Sequence, residues 1–405
     1  MDFTDKKQVR QFIEENDIRD IGALNKMLKN VSGVFIEQIL EAEQEEHLGY
    51  DRHERTSQPK TNARNGYGKK KVRGVNGEME LAIPRDRDAT FEPQLVKKHQ
   101  TDISEIEDKV ISMYAKGMTT RDIAGHLYDI YGAEVSATTI SNMTHRVTPL
   151  VEEWRTRPLQ SVYAIVYIDG LRYKVRADGR IKDKSVYGVM GIDIEGYKEM
   201  LGLWIFDTEG AKSWLSVLTD LRNRGVKDIL IITSDGLTGI SDAIEAAFPE
   251  AAYQGCGVHI IRNSIKYVGY RHKKEFCTDL KAIYTAPTEE AALTAFETLE
   301  RKWGNKYMLA VSVWKRNWDR ISTMFEFTPE IRTLIYTTNP IESFHRQLRK
   351  VTKNRGVFPD DNSLLKLLYL ATQDVTRKWT MKIRNWNQIL AQLAIHFEER
   401  VTQYL

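Results

Sequence analysis

Two short apolar runs constrain this chain more than anything else in it. Tyr163-Ala164-Ile165-Val166-Tyr167-Ile168 runs into Asp169-Gly170, and Ile229-Leu230-Ile231-Ile232 runs through Thr233-Ser234 into Asp235-Gly236. Near-continuous apolar runs of this length read as strands buried on both faces of a sheet. Each is read as a strand that ends in Asp-Gly. A carboxylate at the end of a buried strand is held rigidly, and the glycine after it lets a substrate approach the backbone. Asp-Gly alone is also a common turn, so the argument rests on its recurrence after two such strands.

The elements around these runs suggest one order. Leu171 to Val175 and Val186 to Ile194 read as the next two strands, and Lys198 to Phe206 as another strand or the end of a long hairpin. Ala211 to Arg224 is an amphipathic helix through Trp214, Leu215, Leu218 and Leu221; Asp228 to Ser234 is a strand; Leu237 to Phe248 is a helix. Three antiparallel strands, a helix, a strand and a helix are the order of an RNase H-like fold with a mixed sheet. Residues 271–337 have helical periodicity, Asn339 to Val351 is a helix, and 362–405 is helical with Trp379 and Trp386.

Upstream, Phe12, Ile13, Leu24 and Leu28 fit helical spacing, and Val34 to Leu48 is a helix closed by Gly49. Residues 59–77 read as a loop-rich basic stretch and Glu78 to Pro84 as a short strand. Asp102 to Val147 reads as three short helices. Ile103, Ile106, Val110 and Met113 face inward on the first, which closes at Gly117. Ile123, Ala124 and Leu127 line the second, and Ile140, Met143 and Val147 the third, which Ser136 caps. This is a tri-helical helix-turn-helix pattern, with Thr138, Thr139, Asn142 and Arg146 facing outward towards phosphates or base edges; an ordinary helical bundle has the same periodicity.

The expected fold is thus an α/β RNase H-like core interrupted by an all-α insertion and preceded by helical DNA-binding domains. The expected divisions are 1–98, helical and basic, for DNA binding and oligomerisation; 99–150, helix-turn-helix; 161–270, first part of the core; 271–337, insertion; and 338–405, completion of the core.

Composition excludes some classes. With 41% hydrophobic residues in 405, the chain is suited to globular packing in several domains. No apolar stretch approaches the roughly 18 residues of a membrane span, and Met1 to Arg10 has no apolar signal region. Two cysteines, Cys256 and Cys277, make no disulfide framework, and a cytoplasmic setting is expected. The net charge of +3 is small, but its distribution is uneven. Arg55 to Gly77 holds seven Lys or Arg and no acid, among them Arg64, Lys69, Lys70, Lys71 and Arg73. Ser343 to Pro359 holds five, Arg346, Arg349, Lys350, Lys353 and Arg355, again with no acid. Such runs suit a polyanion, or a solvated surface loop.

Carboxylates on neighbouring strands can share hard divalent cations, because Mg²⁺ prefers oxygen ligands and keeps positions for water and phosphate. A third carboxylate is sought on a helix. In Thr338-Asn339-Pro340-Ile341-Glu342, Pro340 suits the first helical position and Glu342 the first turn, with Arg346, Arg349 and Lys353 on roughly its face. Complementing the helix dipole is an equal reading for Glu342, and Glu326 and Glu330 compete with it.

Several motifs then stand together: Asn62-x-Arg64-Asn65-Gly66; Pro84-Arg85-Asp86-Arg87 with Phe91-x-Pro93; Asp235-Gly236-Leu237-x-Gly239 with Phe248-Pro249 and Gln254-x-Cys256-x-x-His259; and Asn339-x-x-Glu342-Ser343. In these the chain resembles the bacterial mutator-type insertion-sequence transposases over nearly its whole length. The resemblance implies an Asp-Asp-Glu triad, which falls on Asp169, Asp235 and Glu342, with Mg²⁺ bound there and Mn²⁺ able to substitute. It also implies an all-helical insertion before the Glu, binding to terminal inverted repeats, and strand transfer. A homodimer is expected, because two DNA ends must be held together.

Cys256 and His259 have the spacing of half a zinc site, but no second Cys/His pair lies nearby. Cys256, His259 and His345 are therefore candidates for support of the active site. Trp314 and Trp318 read either as core or, for Trp318, as a stacking platform for an unpaired base. Two other functions fit parts of this pattern: a nuclease of the same core that cuts without joining, and a non-catalytic DNA-binding regulator, which leaves the carboxylates unexplained.

Overall fold

The computed structural model describes residues 20–52, 62–74, 77–97, 104–131, 136–208 and 210–404. Phe12, Ile13, Arg55, Lys60 and Ile103, used above, lie outside the described residues, as does the side chain of Ile106. The chain divides into two compact units, Met1–Val151 with Lys350–Gly356, and Glu152–Arg349 with Val357–Leu405. No described helix is long and apolar enough to cross a membrane.

In the first unit, α1 (Ile21–Leu48) starts where Asp20 accepts the N–H of Ala23 at 2.7 Å and stops where Gly49 turns left-handed at φ 73°. Its inward face, Phe35, Ile36, Ile39 and Leu40, is buried over a hairpin of β1 (Arg64–Gly74) and β2 (Gly77–Asp86), whose Val72, Met79 and Leu81 are also buried. The stretch read as a basic loop is therefore largely a strand. Its alternation was hidden because the inward positions Gly68 and Gly74 are small, so hydrophobicity did not mark the period. One corner explains two sequence motifs. The buried Asp86 carboxylate accepts from Asn62 Nδ2 at 2.6 Å, from Thr90 N at 3.0 Å and Oγ1 at 2.7 Å, and from Phe91 N at 3.2 Å. Burial pushes this carboxyl up, but the bonds from Thr90, Asn62 and Phe91 outweigh it and hold it well below the usual range.

Next come α2 (Ser104–Ala115), α3 (Thr120–Tyr131), α4 (Ala137–Thr144) and α5 (Val147–Thr156). Val110, Tyr114, Ile123, Leu127, Ile140 and Met143 form the buried seam of the first three. Ser136 caps α4 by accepting the N–H of Thr139 at 3.1 Å. The third short helix ends at Thr144, so Val147 opens α5 instead of closing α4. Residues 350–356 complete this unit. A Cβ on Gly117, at φ 93°, would lie 2.1 Å from the Val351 carbonyl, and the Arg355 guanidinium lies 4.3 Å from the Tyr114 ring centre while donating to the Met118 carbonyl.

The second unit is built on a five-stranded mixed sheet of order β5-β4-β3-β6-β7, from β3 (Val162–Ala177), β4 (Arg180–Asp193), β5 (Lys198–Phe206), β6 (Asp228–Ser234) and β7 (Ala252–Gly255). β3, β4 and β5 are antiparallel; β6 and β7 run parallel to β3. One core is made with α6 (Ala211–Asn223) and α7 (Ile240–Ala247), where Trp214, Leu218 and Ile244 meet Val166, Ile168 and Ile232. Two expectations change. Asp169-Gly170 lies inside β3, not at its end, and Leu171 to Val175 continues that strand. The reason is that β3 keeps its antiparallel ladder with β4 to Ala177 after its parallel ladder with β6 stops at Ile168. β7 has no apolar run to announce it.

From Gly257 to Thr352 the elements are helical: α8 (Gly257–Ile265), α9 (Tyr270–Tyr284), α10 (Glu289–Trp303), α11 (Met308–Arg316), α12 (Trp318–Ser322), a 3₁₀ turn (Thr323–Glu326), α13 (Pro329–Ile335) and α14 (Asn339–Thr352). Tyr167 Oη donates to the Leu334 carbonyl at 3.1 Å and Thr233 Oγ1 to that of Ile335 at 3.2 Å, which ties the end of α13 to the two central strands. α15 (Asp361–Thr376), α16 (Trp386–Phe397) and α17 (Glu399–Thr402) finish the chain. Arg400 anchors the last of these on Asp228 through bonds of 3.0 and 2.8 Å.

Candidate active site

The parallel ladder of β3 and β6 sets the first two carboxylates. Its last pair is Ile168 with Ser234, so Asp169, inside β3, and Asp235, just past the end of β6, are each the next residue. Neighbouring strands lie about 4.8 Å apart, so the two side chains start at one level of the sheet. Asp169 is buried, and Gly170 N donates to its Oδ1 at 2.8 Å. Gly236, at φ 82°, turns the chain away immediately after Asp235. There Asp235 borders a cavity of about 280 Å³, lined also by Gly170, Arg172, Ser185, Tyr187 and Leu237.

α14 brings the third carboxylate. Its start is pinned by Thr338, whose N–H and hydroxyl both point at Cys256 Sγ at 3.4 Å, while Cys256 N donates to the Ser234 carbonyl at 2.7 Å. One cysteine thus joins the residue before Asp235 to the turn before Glu342. Ile341, Phe344, His345 and Leu348 bury the inner face of the helix. His345, one turn after Glu342, places Nδ1 3.0 Å from Asp169 Oδ2. Its other nitrogen sits over Gly188, the β4 partner of Asp169, where a Cβ would come within 2.7 Å.

Glu342 Oε1 lies 3.1 Å from Arg262 Nη1 and 3.6 Å from His259 Nε2. His259 is raised above its usual pKa, first by its hydrogen bond with Cys256, with burial opposing and the charges of Cys256, Asp235 and Asp169 adding. Burial pushes the Cys256 thiol up, but bonds with His259 and Thr338 outweigh it, so the thiol is lowered. These contacts therefore favour the protonated form of the imidazole, which stands near all three carboxylates. Their oxygens are the donor chemistry that a hard divalent ion prefers. As they stand, no three His, Cys, Asp or Glu side chains among the described residues are grouped to hold one ion, because Glu342 is turned to Arg262 and His259.

Other candidates are distributed as follows. Glu330 accepts from Gln388 and Gln392, and Glu326 is exposed in the 3₁₀ turn. Arg346, Arg349 and Lys350 are exposed along α14, and Lys353 is exposed just after its end. Lys69, Lys71 and Arg73 are exposed on one face of β1, with Lys69 2.8 Å from Glu80, while Lys70 donates to the Lys97 carbonyl at 2.6 Å. Arg64 is held by Glu45 at 3.2 Å and stacks over Tyr50. Thr138 is exposed; Thr139 and Asn142 line a groove with Val34 and Phe35 of α1; Arg146 lies 3.6 Å from Asp108. Trp314 is fully buried, and Trp318 is half-buried against Phe296 with its N–H on Glu289 at 3.0 Å. Cys256 and Cys277 are both free thiols. Sequence reasoning missed Arg262 and Gly188. Arg262 follows His259 by one helical turn, which is a usable signal; Gly188 had none, since its role depends on a helix far along the chain.

Comparison with known proteins gives the family. The chain is 42% identical over 397 residues to a Sinorhizobium fredii protein named as the probable transposase of an ISRM3-like insertion sequence, covering 98% of both chains. It is 41% identical over 397 residues to the transposase of insertion sequence ISRM3 from Rhizobium meliloti, again covering 98% of both. It is 26% identical over 389 residues to the transposase of IS256 from Staphylococcus aureus, covering 95% of this chain and 97% of that one. Residues 3–382 match the family described as Transposase, Mutator family, and this chain belongs to that family of insertion-sequence transposases.

Proposed function

We propose that this transposase cuts and joins DNA at Asp169, Asp235 and Glu342, on a core of RNase H-like type. The observation that carries the reading is the convergence of Asp169 and Asp235 at one level of adjacent strands with a helix that bears Glu342 and grips Asp169 through His345 at 3.0 Å. The strand order β5-β4-β3-β6-β7, with α6 and α7 on the sheet and helices alone between β7 and α14, supports the fold assignment. The three carboxylates would hold Mg²⁺, or Mn²⁺ in its place, after Glu342 leaves Arg262 and His259. When bound, two such ions activate the attacking oxygen and stabilise the leaving oxygen.

The chain's own residues prepare that site. His345 fixes the orientation of the Asp169 carboxylate, and Cys256 holds the approach to Glu342 against the end of β6. His259 and Arg262, released from Glu342, offer positive charge to the phosphate. Water attacks phosphorus at the element's end, the bond from phosphorus to O3′ breaks, and a 3′-OH is left. That 3′-OH then attacks a second phosphodiester and displaces its O3′, so no covalent link to protein is needed. Positioning and electrostatics supply the acceleration.

Terminal inverted repeats and target DNA are assigned as partners. The helix-turn-helix reading of α2 to α4, with Thr138, Thr139 and Asn142, and the Lys69, Lys71 and Arg73 face are the assigned contacts to the ends. Arg346, Arg349, Lys350 and Lys353 are assigned to the backbone near the cut. Two copies acting together are expected, since two ends must be joined.

The test uses a duplex carrying the element's end, with Mg²⁺, and compares the natural chain with Glu342→Gln on a denaturing gel. Nicking and joined product in the first, both absent in the second with DNA binding kept, is the expected result. Nicking without joining means a plain nuclease, and equal activity in both chains removes Glu342 from the triad.

A further inference from the structure

Beyond Arg262, one surface next to the catalytic carboxylates has no role yet. Residues 251–274 contain five Lys or Arg and no Asp or Glu. They run from β7 through α8 into α9, and they begin at the active site, where Arg262 meets Glu342 at 3.1 Å. Arg262 on α8 and Lys266, which caps its end with helical φ and ψ, are exposed and four positions apart, so they lie on one side. At the junction of the helices Tyr267 is 50% exposed and Tyr270 93% exposed. Arg271 and Lys274, also exposed, follow on the first turns of α9, and neither pairs with a carboxylate among the described residues.

Cations alone would suit any polyanion. Exposed phenol rings between them are different, because an aromatic face in water gains by covering an apolar plane, and each nucleic-acid base has such a face only when unstacked. Paired duplex presents phosphates outward and keeps its bases stacked. The combination therefore fits a strand opened near a cut better than intact duplex. It also differs from Trp318, whose ring and N–H already have partners.

We propose that the surface from Arg262 and Lys266 to Tyr267, Tyr270 and Arg271 holds the DNA strand leaving the active site, with an unpaired base stacked on the tyrosines. This rests on the DNA-cutting reading above and adds where, and in what state, the flanking strand is bound.

The test measures binding of a labelled element end by fluorescence anisotropy, once as blunt duplex and once forked with unpaired nucleotides beyond the cut. The natural chain is expected to prefer the forked end. The double variant Tyr267→Ala with Tyr270→Ala is expected to lose about 5- to 30-fold of affinity for it, equal to about 1–2 kcal/mol of stacking, with blunt-end affinity kept. Lys266→Glu is expected to weaken both. Both tyrosines are surface residues, so unchanged melting of the variant shows that it is folded. An unchanged forked-to-blunt ratio in the double variant, or no preference in the natural chain, overturns the proposal. Nicking of the same forked end, with Glu342→Gln beside it, is scored in parallel. A chain that cuts but has no tyrosine-dependent preference refutes this surface alone; one that binds without cutting refutes the catalytic reading and leaves the binding result standing.

Discussion

Gly188 has no side chain, and the His345 ring uses that space. A Cβ at this position would lie 2.7 Å from Nε2 of His345 and 3.1 Å from the Met200 methyl. Gly188→Ala should therefore push His345 off Asp169 while leaving every carboxylate in place. We expect initial nicking to fall by at least about tenfold, a change of roughly 1.4 kcal/mol in the barrier, with a stability loss of about 1–3 kcal/mol from overpacking. An initial rate within twofold of the natural chain, in a variant that is still folded at the assay temperature, would mean that His345 does not orient Asp169. Residues differ in how readable they are. Asp169 and Asp235 could be singled out as candidates because the apolar strands before them are marked locally. Glu342 needed the family resemblance, since its first-turn position has an ordinary dipole explanation. Arg262 was not found, because its partner is 80 positions away and only the folded chain joins them.

Elements repeat the lesson with different physics. β6 was read to the residue because all its positions from Ile229 to Ser234 are buried, so composition alone marks it. β1 was read as loop because glycine occupies inward positions, and the length of β3 was misjudged because two ladders of different length share it. In the first unit α1 carries Glu43, a buried carboxyl between the hairpin and the following segment. Its oxygens accept the N–H of Gln94 and of Leu95, each at 2.9 Å. Burial pushes its pKa from 4.5 up to about 7 in spite of those bonds. The folded chain then binds more protons than the unfolded chain between these values, so stability falls as pH rises from about 4.5 to 7 and is level above that. The difference in unfolding free energy between the natural chain and Glu43→Gln should shift by up to about 3 kcal/mol between pH 5 and pH 8. Denaturant melts at the two pH values measure it; a constant difference would mean that Glu43 titrates as it does in water. Asp86, held low, has the opposite sign, and its contribution is lost only in strong acid.

At the scale of the molecule, neither unit is a continuous stretch of sequence. The first unit ends at Val151 and is completed by Lys350–Gly356. This division was not legible, since residues 350–356 looked like the tail of a basic helix, and nothing local says that Arg355 covers Tyr114. Arg355→Ala removes that stacking and the bond to the Met118 carbonyl. We expect a loss of about 1–3 kcal/mol, read by hydrogen exchange as faster opening of α2 and α3, with the sheet of the second unit unaffected. Equal protection in both proteins would make residues 350–356 a passenger on the first unit.

The same discontinuity has a consequence in time. About 200 residues lie between Val151 and Lys350, and ribosomes add roughly 5–20 residues per second. The newborn first unit thus waits roughly 10–40 s for its last segment, with the Tyr114 face and the Gly117 turn uncovered. For that interval the place later taken by Val351 and Arg355 is open to any chaperone or nascent neighbour with a cation or an apolar edge. A ribosome that stops short of Glu342 releases a chain with most of the first unit, an unsealed flank, and no means of completing the carboxylate set.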